Sequence, residues 1–297
     1  MTLSHNDLLR YAAEYQRNGY VIVPRLFASS EVAGFIEHFM ELRRQGSKEG
    51  DFAGVPIAGD DNTPDPLQQY PRMIHMHRWD EPSRDWMIDG RIDTVMTSLL
   101  GASPYAVQTM LYFKPPGARG QALHQDQYYL RVQPGTCMAA WLALDDCDEA
   151  NGCMQIVPGS HKLPLLCTVP ADTTQSFTDV TVPVPEGMQV APIIMKAGDV
   201  LFFNGQLIHG SFPNSSTNRF RRSLIGHYIV GEAEKVAKYY HPVLRMDGTE
   251  VTLGVSKSGG ACGVWVEKDG ETVIEMRQPK AKSAVAVADG DDPPLIA

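Results

Sequence analysis

The chain has 297 residues, 43% of them apolar and 21% charged. That is the profile of a folded globular protein with a core of its own, and it excludes intrinsic disorder, collagen and coiled coil. The net charge of −9 opposes a sequence-independent hold on nucleic acid and docking on an anionic membrane surface.

No stretch approaches the roughly 20 apolar residues of a membrane span, and the first twenty residues lack the pattern of a signal peptide. The expectation is a soluble, cytoplasmic protein. The five cysteines, Cys137, Cys147, Cys153, Cys167 and Cys262, show no C-x-x-C spacing and read as reduced thiols, mostly core filler.

In chain order, the spacing of Leu8, Leu9, Tyr11, Ala12 and Tyr15 predicts a helix capped near Asn6-Asp7 and ended by Gly19. A short strand, Tyr20 to Val23, follows. A second helix opens at Ser29 or Ser30 and carries Val32, Phe35, Ile36 and Phe39 on one face. Residues 46–71 are rich in Gly, Pro, Asp and Asn and predict a long loop. Residues 82–101 read as one helix stopped by Gly101.

Beyond that point short β-type runs alternate with turns: 105–113, 127–132, 138–144, 154–157, 190–194, 199–203 and 223–230. Strands of this kind without intervening helices predict a sandwich or barrel. Residues 161–190 read as an insertion, and 263–274 as a hairpin turning at Lys268-Asp269-Gly270. The division is a helical flank over 1–101, a β core over 102–232, an extension over 233–280 and a fraying tail over 281–297, all in one domain.

The chemistry concentrates in His124-Gln125-Asp126. On a strand, residues two apart face one side, so the imidazole and the carboxylate could reach one ion. His209, in the segment after a later strand, can supply the third ligand. Two histidines and one carboxylate form the facial triad of non-haem Fe(II) oxygenases, with open positions left for co-substrate and O₂. Alone, the H-x-D motif reads equally well as a surface turn or a polar core pair.

A third element follows at matching distance. Arg221 lies twelve residues after His209 and could hold a carboxylate through two parallel bonds. Ser223 shares its face, while Arg222 points the other way. His227 shares it too, either lining the interior or sitting as a satisfied core histidine. His75 and His77, around Met76, could face a substrate loop.

With these residues in place, the chain resembles the phytanoyl-CoA dioxygenase family of Fe(II)/2-oxoglutarate oxygenases, from about Tyr11 to Tyr228. The resemblance rests on Asn18-Gly19-Tyr20-Val21-Ile22-Val23-Pro24, His124-Gln125-Asp126, Trp141-Leu142-Ala143-Leu144-Asp145-Asp146, the run from Asn151 to Lys162, Ala197-Gly198-Asp199-Val200, His209-Gly210-Ser211 and Arg221-Arg222-Ser223-Leu224. It implies a mainly β fold, a double-stranded β-helix (jelly roll, cupin-like) with flanking helices.

It implies His124, Asp126 and His209 as iron ligands and Arg221 as the anchor of the 2-oxoglutarate C5 carboxylate, with Arg219 or Arg222 as alternatives if the register is shifted. Gln108, Trp141 and Ser211 are implied as further co-substrate contacts. The cofactors implied are Fe(II), 2-oxoglutarate and O₂, with 2-oxoglutarate converted to succinate and CO₂ as a C–H bond of a small metabolite or natural product is oxidised.

Retention of Asp126 argues for hydroxylation, or for desaturation, ring closure or endoperoxidation, and against halogenation. Tyr112, Tyr128 and His227 are candidate substrate residues, and the C-terminal hairpin could cover the barrel mouth or make a homodimer contact. The rival readings are a jelly roll that binds metal or ligand without turnover and an isomerase-type cupin, which would supply more histidines and no distal arginine.

Overall fold

The structure, a computed structural model, describes residues 3–46, 66–257, 261–268 and 271–278. The middle of the predicted long loop, the tip of the C-terminal hairpin and the chain from 279 onward lie outside the described residues.

The helical flank begins with α1 (His5–Asn18), capped by the Ser4 hydroxyl, which accepts from the Asp7 N–H at 3.1 Å. Gly19 closes it in the left-handed region at φ 82° and donates its N–H to Tyr15 O. Then come β1 (Tyr20–Val23), α2 (Ser29–Gln45), α3 (Pro66–Gln69) and β2 (Met73–Ile74).

The helix expected over 82–101 is two helices, α4 (Glu81–Met87) and α5 (Gly90–Leu100). Two aspartates start them separately: the Asp80 carboxylate accepts from the Ser83 N–H and the Asp89 carboxylate from the Arg91 N–H.

The β core continues with β3 (Tyr105–Tyr112), β4 (Gln121–His124), a one-turn helix α6 (Gln127–Leu130), β5 (Cys137–Ala143) and β6 (Met154–Ile156). The insertion carries β7 (Val169–Pro170) and β8 (Val180–Thr181). Next are β9 (Ala191–Ile193), β10 (Val200–Asn204), β11 (His209–Ser211) and β12 (Ser223–Ile229). The extension holds β13 (Lys235–Val236), β14 (Val243–Arg245), β15 (Glu250–Val251), β16 (Gly254–Val255) and the hairpin β17 (Cys262–Lys268) with β18 (Glu271–Arg277). The strand expected at 127–132 is thus replaced over its first four residues by α6.

Two antiparallel sheets make the jelly roll. The larger runs β1-β10-β5-β12-β3-β14-β15, with β2 on β3, and the smaller runs β4-β11-β6-β9. Strand alternation sorts the larger sheet's side chains. Ala139, Trp141, Leu201, Phe203 and Ile225 join Met154, Ile156 and Ile193 of the smaller sheet in a core between the layers. Met138, Ala140, Leu142, Val200, Phe202 and Leu224 pack on the other face against α1, α2, α4 and α5. Both faces are covered, so β5 and β12 are buried at every residue.

One sequence expectation fails here. Cys167 and Cys262 form a disulfide across a separation of 95 residues, while Cys137, Cys147 and Cys153 are free and buried. The start of β17 lies along the insertion: Cys167 N–H donates to Gly263 O at 2.9 Å and Gly263 N–H to Leu165 O at 2.8 Å. That pairing brings the two Cα atoms to 4.9 Å. The reduced-thiol reading therefore holds for three of the five, and cysteine usage no longer argues for a reducing compartment. Among the described residues, no helix is long and apolar enough to cross a membrane.

Candidate functional site

A pocket opens between the two sheets. The smaller sheet gives it Gln121, His124, Met154, His209 and Ser211, and the larger gives it Met110, Tyr112, Trp141, Phe203, Ile225 and His227, with Asp126 and Arg221 from adjoining segments. His124 ends β4 and His209 begins β11, and the two are direct partners in the antiparallel register. Their rings stand 4.2 Å apart between centroids.

Asp126 reaches them differently from the sequence expectation. The chain leaves the strand at His124, and Asp126 is already in the right-handed helical region, at φ −60° and ψ −33°, as the N-cap of α6. Its carboxylate lies 3.4 Å from His124 Nε2 and 3.6 Å from His209 Nε2. Ligand atoms of His124, Asp126 and His209 all fall within 4.8 Å of one another, close enough to hold one metal ion.

The donor set fits a divalent cation. His124 Nδ1 is 2.9 Å from Ala122 O and His209 Nδ1 is 2.9 Å from Leu207 O. A carbonyl only accepts, so each Nδ1 carries the proton and each Nε2 presents a lone pair, the arrangement of metal-ligating histidines. Two lone pairs and a carboxylate in one buried spot repel unless a cation joins them.

Burial pushes the His209 pKa down to about 4, with His124 adding to the effect, so its imidazole is neutral near pH 7. Burial alone would raise the Asp126 carboxyl, but His209, His124 and His227 around it hold it well below the usual carboxylate range. His227 Nε2 sits 3.3 Å from Asp126 Oδ2, and Gln121 Nε2 is 3.3 Å from His124 Nε2.

Arg221 supplies the cation at the other side of the pocket. It is 3% exposed, donates Nε–H to Gly152 O at 2.9 Å and Nη1–H to Ser223 Oγ at 3.0 Å, and lies 5.2 Å from the centre of the Trp141 ring. No carboxylate pairs with it among the described residues. The alternative anchors are taken elsewhere: Arg219 pairs with Asp148 at 2.7 Å and Arg222 with Asp145 at 2.7 Å.

The remaining sequence candidates divide. Trp141, Ser211, Tyr112 and His227 line the pocket. Ser223 is fully buried and holds Arg221 in place from behind. Gln108 is fully buried deeper in β3, with Nε2 3.4 Å from His75 Nε2. Tyr128 lies on α6, 45% exposed, its ring edge-on to Tyr129 at 5.3 Å, outside the pocket lining.

Three residues escaped sequence reasoning. Lys114 is buried, its Nζ donating to Ser211 Oγ at 2.8 Å and to Phe212 O; burial first, then Arg221, depresses its pKa well below the usual lysine value. The signal was a single cation closing an apolar strand before Pro115-Pro116. Gln121 sits three residues before His124 and falls outside a two-residue alternation. Arg72 is buried and donates Nη1–H to Tyr112 Oη at 3.3 Å.

Comparison with known proteins gives a consistent picture. A curated protein from rice (Oryza sativa subsp. japonica), Phytanoyl-CoA dioxygenase 1, is 33% identical over 142 residues, covering 48% of this chain and 50% of that protein. Phytanoyl-CoA dioxygenase from Arabidopsis thaliana is 34% identical over 166 residues, covering 55% and 58%. The chain thus spans about half the length of these two relatives. The peroxisomal phytanoyl-CoA dioxygenase of Bos taurus is 27% identical over 230 residues, covering 72% of this chain and 66% of that protein.

Among solved structures, the epimerase SnoN in complex with Fe³⁺, alpha ketoglutarate and nogalamycin RO superposes with a TM-score of 0.60 at 26% identity, covering 78% of this chain and 86% of that one. The carbocyclase SnoK gives 0.61 at 23%, covering 78% and 86%. The phytanoyl-CoA dioxygenase family model matches residues 15–223, which takes in both histidines, Asp126, Arg221 and Ser223, and the chain belongs to that family.

Proposed function

We propose that the protein is an Fe(II)/2-oxoglutarate-dependent oxygenase that oxidises, by hydroxylation, a C–H bond of a small molecule. The observation that carries this reading is the meeting of His124, Asp126 and His209 within one ligand-binding distance, in a pocket that also holds the buried, carboxylate-free Arg221. A cupin built on three or four histidines has no use for that arginine, so the site favours the oxygenase over the isomerase-type rival.

Iron bound by the triad would supply O₂ activation coupled to conversion of 2-oxoglutarate to succinate and CO₂. The protein's own residues do the rest. The carbonyls of Ala122 and Leu207 fix the imidazole tautomers so that both Nε2 lone pairs face Asp126, and these three side chains would hold the iron. Arg221, its fork already oriented by Gly152 and Ser223, offers its remaining N–H groups to the distal carboxylate of 2-oxoglutarate.

Ser211 Oγ accepts from Lys114 Nζ and from the Gln121 N–H. Both acceptor positions are filled, so its own proton is free to donate to the same carboxylate. Trp141, Met154, Phe203 and Ile225 keep water from this end of the pocket.

The test measures O₂ consumption and succinate release with Fe(II) and 2-oxoglutarate, and 2-oxoglutarate binding under anaerobic conditions. Uncoupled turnover and binding are expected, and absence of both overturns the proposal. The substrate's mass change then decides the outcome: one oxygen gained supports hydroxylation. Two hydrogens lost would replace it with desaturation or ring closure. No change at all would replace it with the epimerisation named for SnoN.

A further inference from the structure

Gln108, His75, His227 and Tyr240 share a property that neither the metal site nor the core explains. Each is buried, and each carries a polar atom with no partner: Gln108 Oε1, His75 Nδ1, His227 Nδ1 and Tyr240 Oη. A single orphaned buried group costs stability, and native folds rarely keep one without a reason. Here four stand together.

Gln108 and His227 are opposite each other in the β3–β12 register. Gln108 Nε2 lies 3.4 Å from His75 Nε2, and the His75 ring is 6.2 Å from that of Tyr240. His227 closes the row at the metal site, 3.3 Å from Asp126. The row therefore runs from the metal-binding carboxylate into the larger sheet, on the side away from Arg221.

We infer that this row is the subsite for an uncharged, hydrogen-bonding group of the substrate, such as a hydroxyl or an amide. The inference rests on the oxygenase reading for the word substrate and on the orphaned atoms for the chemistry. If the Gln108 amide donates to His75 Nε2, then His75 Nδ1 is a free donor and Gln108 Oε1 a free acceptor. Tyr240 Oη can do either. A group that both donates and accepts satisfies them together. A carboxylate or phosphate, which only accepts, leaves Gln108 Oε1 unmet and faces the Asp126 charge at the end of the row.

The same arithmetic makes Gln108 and His75 specificity-determining residues that sacrifice stability. The test uses the full chain with Zn(II) and 2-oxoglutarate, and two probes, cyclohexanecarboxamide and cyclohexanecarboxylate, followed by ligand-observed NMR. Wild type should bind the amide at least about tenfold more tightly than the carboxylate. Gln108→Met combined with His75→Phe, which removes both orphaned atoms together with the contact between the two side chains, should abolish that preference and raise Tm by about 2–4 °C.

Equal binding of the two probes by wild type, no binding of the amide, or a lowered Tm with the preference intact would each overturn the inference; the last would mark the row as structural, held by ordered water. Loss of 2-oxoglutarate binding in wild type would instead sink the oxygenase reading, while the probe comparison still decides the subsite.

Discussion

Replacing Arg221 with alanine should weaken 2-oxoglutarate binding by about 10- to 150-fold. The estimate starts from the fork: Nε and Nη1 are committed to Gly152 O and Ser223 Oγ, which leaves the outer N–H groups for one charge-assisted pair with a carboxylate. Such a bond contributes about 1.5–3 kcal/mol, and 1.4 kcal/mol is a factor of ten. Alanine also strands the Gly152 carbonyl, so some loss of stability accompanies it, about 1–3 kcal/mol.

Arg221→Lys separates the two effects. It keeps the charge and loses the planar fork, and should sit between wild type and alanine. Arg222→Ala is the control, since Arg222 pairs with Asp145 outside the pocket and should leave affinity within about threefold. Anaerobic titration calorimetry with the metal-loaded protein reads all three. Wild-type affinity in Arg221→Ala together with weakened binding in Arg222→Ala would refute the assigned anchor.

Other outcomes follow from the same geometry. Saturating divalent metal at about 100 times its Kd should stabilise the protein by about 2.7 kcal/mol, and Asp126→Ala should abolish the shift in a thermal melt; a retained shift would place the metal elsewhere. In the metal-free protein, burial holds His77 down to about 3, His209 down to about 4 and His75 well below its ordinary value.

The unfolded chain therefore binds more protons than the native one below about pH 6.5, and stability should fall as pH drops through that value, by about 1.4 kcal/mol per unit for each histidine. Urea midpoints between pH 5 and 7 check the slope, and a flat profile would contradict the burial argument. Replacing both Cys167 and Cys262 by serine opens a loop spanning 95 residues and should cost up to about 4–5 kcal/mol in the chain-entropy picture. Thiol counting on the unfolded, unreduced protein should find three, and five would remove the bridge.

The sequence singled out residues that meet in one pocket more readily than it showed how they get there, for physical reasons visible at particular positions. β5 was legible because burial on both faces makes it a continuous apolar run, and β12 because its Leu224-Ile225 and Tyr228-Ile229 pairs are strand-favouring apolar residues. The residues after Asp126 misled because Tyr128 and Tyr129 favour strands, while the local bonds Tyr129 N–H to Asp126 O and Leu130 N–H to Asp126 O wind them into a turn. The H-x-D pair thus converges by leaving the strand rather than by strand alternation.

Lys114 and the disulfide depend on partners 97 and 95 residues away, a distance that no local spacing encodes. Gln108 shows the limit most sharply. It lies on the same strand face as Met110 and Tyr112, so alternation alone sends it into the pocket. The β3–β12 register shifts between His227 and Tyr228, right beside its partner, and His75 meets it from the junction of β2 and the Met76–Arg78 turn, its N–H donating to Thr109 O at 2.7 Å. The strand's own pattern carries nothing of the two neighbours that this pairing and a distant turn set beside it, His227 and His75.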